Sequence, residues 1–313
     1  MENFTPLFTV ATITYNSEKW VRQAIESVLA SSFLEFEFLI SDDCSTDNTW
    51  NIIEQYNDPR IKAWRNDLNI GEYPNRNKVL AEAKGKYLLF VDGDDILYKY
   101  SLEMLNRYIG FFPKAAAFWG VYPLFFDFVT LPYEFNNAEL TKLNYLSNYP
   151  VSITGFAESI FHVEALIDLG GFSNEFAIGD YYIKKKICLY HSVVLFPAGI
   201  SFWRKSSNQS SSNIKKNYLQ FVENMQIDFE ILYDIAETPL NKIELKNARK
   251  NYKISRIKLL VSNTLLKFRL KDFILLMLKL KIPVFHLFFV FQKGKYPLNE
   301  IDKESPLQNH FHF

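Results

Sequence analysis

Apolar runs of strand length recur through the first hundred residues, and each stops abruptly at polar side chains. Leu7–Thr14 is short and β-branched, Phe36–Ser41 is a second run, and Tyr87–Val91 is a third. Runs this short, bounded by turn residues, read as strands covered on both faces. The segments between them have a different period. Asn16 and Ser17 offer a helix N-cap, and Trp20, Val21, Ala24, Ile25, Val28 and Leu29 follow at the spacing of one helical face. Thr46 or Asp47 can cap a second helix bearing Trp50, Ile53 and Tyr56. Ile61–Trp64 reads as a short strand, and a helix beginning at Pro74 continues through Lys78–Lys84 until Gly85 stops it. This alternation predicts an α/β fold with a mostly parallel central sheet flanked by helices.

The pattern weakens from Phe112 to Tyr149, where aromatics and prolines dominate. Ser159–Leu169 reads as a helix ending at Gly170-Gly171, Tyr181–Tyr190 as another, and Val193–Phe196 as a strand. Ser206–Asn213 is a polar loop. From Tyr218 to Leu280 a long helical periodicity runs, rich in Lys and poor in Gly. These changes divide the chain near residue 215, into residues 1–215 and a mainly helical region of residues 216–313.

Acidic residues gather where the strands end. In open α/β sheets ligands bind outside the carboxyl ends of the strands. The first run ends in Thr14-Tyr15-Asn16, the second in Asp42-Asp43, and the third in Asp92-Gly93-Asp94-Asp95. Neighbouring strands would bring these groups to one rim. Crowded carboxylates repel, and a cation among them relieves the repulsion. Oxygen ligands suit Mg²⁺ or Mn²⁺, ions that share their shell with phosphate oxygens, so a diphosphate ligand follows. The alternative is that Asp and Asn only mark turns and caps, and that reading is preferred for Asp47 and Asp67. The first strand-to-helix turn, TYNSEKW, has no glycine, no G-x-G occurs, and no P-loop is present. A dinucleotide-binding fingerprint is thereby excluded.

These motifs resemble the family 2 glycosyltransferases, which have the GT-A fold and invert the anomeric centre. The resemblance is carried by TVATITYNSEKWVRQAIESVLASS, FEFLISDDCSTDNT, NRNKVLAEAKGKYLLFVDGDD and GGFSNEF followed by Asp180, across about residues 8 to 210. It implies a nucleotide-sugar donor, UDP-linked in many members, and a divalent metal, Mn²⁺ or Mg²⁺. Thr14, Tyr15 and Asn16 would line the nucleoside pocket. Asp42 or Asp43 would bond the base, and Arg76 would contact the base or the pyrophosphate, or else pair with Glu72 or Glu82 on its own helix. Asp92 would hold the ribose, Asp94 the metal, and Asp180 would be the general base, unless it merely caps the following helix. The acceptor would be a glycan or a lipid-linked glycan in surface polysaccharide synthesis. Three departures stand out. Gly179 occupies the place of a usual Glu, no His follows Arg204, and Cys44 replaces a frequent Gly. Arg204, Lys205 or the serines that follow would then close over the phosphates. The missing Glu leaves a second reading open, a non-catalytic, membrane-associated partner that binds nucleotide sugar.

Composition bears on location and partners. The 313 residues carry 35 Lys+Arg and 35 Asp+Glu, so no basic excess points to nucleic acid. Cys44 and Cys188 make neither a disulfide framework nor a metal spacing, and the N-terminus lacks signal-peptide features, so a cytoplasmic location is expected. The neutral total hides an asymmetry: residues 1–240 carry a net charge of −10 and residues 241–300 one of +11. In residues 258–292 Lys and Arg interleave with Leu and Phe, which suits peripheral contact with anionic lipid at the inner face of the cell membrane. The alternative is a helical appendage that packs on the rest of the chain. Phe273–Phe291 is interrupted by Lys279, Lys281, Pro283 and His286 and does not read as a transmembrane helix.

Overall fold

β1 (Phe8–Thr14) lies between β2 (Phe36–Asp42) and β4 (Tyr87–Phe90), parallel to both, and β3 (Ile61–Arg65) extends the parallel set beyond β2. These strands come from a computed structural model that describes residues 5–122, 129–147, 150–204, 223–235 and 237–263, with positions 271, 274, 277 and 278. β1 and β2 run in register from Phe8↔Phe36 to Thr14↔Asp42, so their carboxyl ends are flush. β4 meets β1 with Ala11 opposite Phe90, and Gly93 N–H then donates to the Ile13 carbonyl, carrying the acidic turn to the same rim.

The other half of the sheet is mixed. β8 (Ser159–His162) is antiparallel to β4 and to β6 (Ala117–Val121). β9 (Val193–Pro197) is parallel to β6, and β7 (Tyr133–Phe135) closes the edge antiparallel to β9. The order is β3-β2-β1-β4-β8-β6-β9-β7. A separate antiparallel ribbon joins β5 (Ile96–Leu97) to β10 (Ser201–Phe202).

The fold corrects two sequence expectations. Ser159–Leu169 is not one helix: its first four residues form β8, and only Val163–Asp168, α6, is helical. Ser159, Ile160 and Phe161 are fully buried between β4 and β6, and pairing on both sides overrides the helical pattern. The aromatic stretch after Phe112 holds β6, whose five residues are all buried, so it shows no alternation to read.

α1 (Val21–Leu29) buries Val21, Ala24, Ile25 and Val28, as its spacing predicts. With Phe8 and Val10 of β1, Phe38 and Ile40 of β2, and Leu102, Leu105 and Ile109 of α4 (Ser101–Phe111), they form one core. α2 (Thr49–Ile53) and α3 (Glu72–Glu82) follow β2 and β3. α7 (Gly179–Tyr190) precedes β9.

The described residues fall into two compact units. One comprises Met1–Asn137 and Ile153–Asn213 and contains every strand named above. The other comprises Ala138–Ser152 and Ile214–Phe313. In the second unit Leu232, Leu240, Ala248 and Tyr252 form a small core, and Lys142 of α5 (Asn137–Leu146) pairs with Glu244 at 2.9 Å. Its 22-residue helix, Lys242–Asn263, is started by a capping box: Asn241 Oδ1 accepts the Glu244 N–H, and Glu244 returns a carboxylate to the Asn241 N–H. The long periodicity from Tyr218 is thus broken before this cap. No described helix is long and apolar enough to cross a membrane. Most of residues 258–292, the stretch expected at lipid, lies outside the described residues.

Candidate functional site

The three strand ends do meet, since β2, β1 and β4 are neighbours. Thr14 donates its hydroxyl to Asp42 Oδ1 at 2.9 Å, and Asp42 also accepts from the hydroxyl and the backbone N–H of Ser45. Arg65 Nε stands 3.5 Å from Asp42 Oδ2. Asp43 is bound differently. Its Oδ1 accepts from Asn66 Nδ2 and the Ile70 N–H, both at 2.9 Å, and its Oδ2 from the Gly71 N–H at 2.8 Å. Both carboxylates are buried. Asp42 therefore ties the first two loops together, and Asp43 folds the loop that enters α3. Tyr15 is half exposed beside them, and Asn16 Oδ1 accepts from the Thr46 N–H at 2.8 Å. Asn16 and Cys44 both have positive φ, 52° and 62°. That conformation favours glycine, in keeping with the glycine that the family resemblance leads one to expect at position 44.

Arg76 of α3 is buried, with its guanidinium 4.6 Å from the Phe90 ring centroid and 4.5 Å from that of Phe156. Its Nη2 donates to Asp92 Oδ2 at 2.8 Å and to Glu72 Oε1 at 3.1 Å. Arg76 thus pairs with Glu72 on its own helix, one of the expected alternatives, and also reaches Asp92 of the acidic turn. Burial alone would lower its affinity for a proton, but the carboxylates of Asp92 and Glu72 outweigh that effect and raise it. Arg76 Nε and Nη1 and Asp92 Oδ1 are buried without hydrogen-bond partners. A planar cation lying against two adjoining rings, with unused donors, is prepared for an oxygen-rich ligand.

Asp95 is buried at the turn, and burial with the carboxylates of Asp92 and Asp94 pushes its pKa up to about 7. Its Oδ1 accepts the Arg204 N–H at 3.1 Å, which pulls the other way. Arg204 Nε donates to the Asp94 carbonyl at 2.9 Å, and its guanidinium lies 4.0 Å from the Trp20 ring centroid. The β5–β10 ribbon holds these two segments together. Gly93 permits the turn, since a Cβ there would stand 2.9 Å from Thr14 Cγ2. Residues 205–222, which include the serines after Arg204, lie outside the described residues.

Asp180 lies in the first turn of α7. The helix has no side-chain N-cap bond, so Asp180 is not acting as its cap. Its Oδ1 instead accepts the Tyr73 hydroxyl of α3 at 3.0 Å. Burial, together with the Asp180 and Glu72 carboxylates, raises the Tyr73 phenol far above its usual pKa, so it stays protonated as a donor. One turn along α7, Lys184 is fully buried. Its Nζ donates to the carbonyls of Thr154 and Gly155 at 2.7 and 3.2 Å and lies 5.1 Å from the Trp119 ring centroid.

Three clusters result: Thr14, Asp42 and Asp43; Arg76 with Asp92; and Asp94, Asp95 and Arg204. α3 links the second to Asp180 through Tyr73, three residues before Arg76. Sequence reasoning overlooked Tyr73, Asn66, Trp20 and Lys184, whose partners are distant in the chain. Among the described residues no three His, Cys, Asp or Glu side chains converge as a complete metal cage. The acidic turn nevertheless suits a cation that takes further ligands from phosphate: Asp92 Oδ1 has no partner, and Asp92, Asp94 and Asp95 stand within four consecutive residues.

Comparison with known proteins agrees with this architecture. The chain is 41% identical over 105 residues to the putative teichuronic acid biosynthesis glycosyltransferase TuaG of Bacillus subtilis, a match covering 33% of this chain and 42% of TuaG. It spans less than half the length of the curated relatives it matches. The crystal structure of Staphylococcus aureus TarS 1–349 superposes with a TM-score of 0.61 at 23% identity, covering 82% of this chain and 73% of that one. TarS 1–349 is also known in complex with UDP-GlcNAc. The mannosyltransferase PcManGT of Pyrobaculum calidifontis, in complex with GDP-Man and Mn²⁺, gives a TM-score of 0.61 at 15% identity over 99% of this chain and 82% of its own. These two likenesses concern the fold. The sequence pattern described as Glycosyl transferase family 2 matches residues 9–170, more than half of the chain, and the chain belongs to that family.

Proposed function

We propose that the chain transfers a hexose-type sugar from a nucleotide diphosphate, most simply UDP, to a glycan or lipid-linked acceptor in surface polysaccharide synthesis, with inversion. The observation that carries this reading is the buried Arg76–Asp92 pair with unpartnered polar atoms, set beside the strand ends that bear Thr14, Asp42 and Asp43. Thr14, Tyr15, Asn16 and the Asp42/Asp43 loops would receive the nucleoside, Asp92 the ribose, and Arg76 and Arg204 the diphosphate side. Asp94, with Asp92 beside it, would hold Mn²⁺ or Mg²⁺, which when bound offsets the charge of the leaving diphosphate. Asp180, half-buried on a different helix, would take the proton of the acceptor hydroxyl. PcManGT with GDP-Man and Mn²⁺, TarS with UDP-GlcNAc and the named role of TuaG lend support to the donor class and the pathway.

The glycine at 179, which favoured a non-catalytic partner, has a steric reason of its own and so gives that reading no support. A Cβ there would stand 2.8 Å from the Ser173 carbonyl oxygen and 3.0 Å from the Tyr73 ring. The test is a thermal-shift panel of UDP- and GDP-sugars with Mn²⁺, followed by assay of donor turnover. Asp180→Asn is expected to lower turnover at least about 100-fold with donor binding retained. Asp94→Ala is expected to remove the metal dependence of donor binding. A protein stabilised by no nucleotide sugar refutes the proposal.

A further inference from the structure

Tyr73 reaches from α3 to the first turn of α7, where its hydroxyl lies 3.0 Å from Asp180 Oδ1 and 3.2 Å from the Ala177 carbonyl oxygen. Both are acceptors, and a phenol has one proton to give. A carboxylate draws that proton more strongly than an amide carbonyl does. The ring cannot easily swing away. It is 8% exposed, lies nearly parallel to Phe172 with centroids 6.4 Å apart, and passes directly over Gly179. Any side chain at 179 would meet it. Tyrosine at 73 and glycine at 179 are thus two parts of one arrangement that brings a donor to the carboxylate.

We propose that Tyr73 is a positioning residue for the transfer: it holds Asp180 by Oδ1 and leaves Oδ2 to take the acceptor proton. This rests on the reading of Asp180 as the base. In the step concerned, the acceptor oxygen forms its bond to the anomeric carbon while its proton passes to Asp180 Oδ2. The bond from that carbon to the diphosphate oxygen breaks, and its electron pair leaves with the nucleoside diphosphate. A hydrogen bond at Oδ1 fixes the torsion of the carboxylate. The charged groups around this contact are Glu72 and Arg76 of α3, which act on the Tyr73 hydroxyl, and Lys184 of α7, which interacts with Asp180.

The test uses the full chain with Tyr73→Phe, which keeps the ring over Gly179 and removes only the hydroxyl. Side-chain carboxyl ¹³C resonances are compared at one fixed pH in the free protein, and Asp180 is assigned by its absence in Asp180→Asn. The expected result is that the Asp180 resonance moves in Tyr73→Phe, since the hydrogen bond to Oδ1 is lost. In parallel, hydrolysis of UDP-GlcNAc and UDP-glucose is followed with Mn²⁺, water serving as acceptor. Tyr73→Phe is expected to lower kcat about 10-fold and leave the donor KM unchanged. An unmoved Asp180 resonance, an unmoved kcat, or a donor KM that rises with kcat intact overturns the positioning role. Full hydrolysis by Asp180→Asn, or no hydrolysis by the wild type, overturns the base reading instead. The resonance then still reports whether the contact exists.

Discussion

Lys184 shows how strongly one residue's surroundings govern its chemistry. Burial lowers its pKa from 10.5 to about 7, although Asp180 on the same helix acts in the opposite direction. An unfolded lysine keeps its proton up to about pH 10.4. Between about pH 7 and that value the unfolded chain therefore binds more protons than the folded one, and stability rises with pH across the window. Below about pH 7 both states are protonated, and this group adds no slope. Lys184→Met removes the titration. Scanning fluorimetry at pH 6, 7, 8 and 9 is expected to show the wild type gaining on the variant by roughly 1 kcal/mol per pH unit above pH 7, with a constant difference below. A difference that stays flat from pH 6 to 9 contradicts the shifted pKa. The same residue marks a limit of sequence reading. In YYIKKKICLY three lysines stand in a row, and nothing local separates the one at 184 that enters the interior, because its acceptors, Thr154 and Gly155, lie about thirty residues earlier.

Among the elements, those read correctly in the sequence are those whose local period matches their surroundings. β1, β2 and β4 are short apolar runs covered on both faces, and α1 carries its buried residues at helical spacing. β6 and β8 escape because their place in the sheet depends on partners from distant segments. Glu158, which follows Phe156 in a 3₁₀ turn, is a related case. Its carboxylate accepts the N–H groups of Gly199 and Ile200 at 3.1 Å and of Ser201 at 3.3 Å, and thereby fixes the start of β10. A carboxylate collecting backbone donors more than forty residues away has no sequence signature. Glu158→Ala leaves those N–H groups buried and unpaired, so urea unfolding is expected to show a loss of about 2–3 kcal/mol. Because β10 leads directly to Arg204, donor affinity is expected to fall in the same variant. The acidic rim itself was legible, since Asp42-Asp43 and Asp92-Gly93-Asp94-Asp95 each follow a strand. What was not legible was the division of labour within it, with Asp42 and Asp43 each enclosed by loop donors.

For the whole molecule the decisive quantity is the distribution of charge. A chain neutral in total carries −10 in residues 1–240 and +11 in residues 241–300. If the basic segment meets anionic lipid, the full chain is expected to float with vesicles containing phosphatidylglycerol and not with phosphatidylcholine alone. Binding is expected to fade between 50 and 500 mM salt as the Debye length shrinks. Equal flotation with both vesicle types removes the electrostatic reading. A different consequence follows from the β5–β10 ribbon and the bonds beside it. Asp94 and Asp95 are clasped by Arg204 across 110 and 109 positions of the chain. During synthesis β1, β2 and β4 leave the ribosome well before this clasp does. The rim is therefore completed late, and a nascent chain interrupted ahead of Arg204 carries the acidic turn without the segment that shuts it.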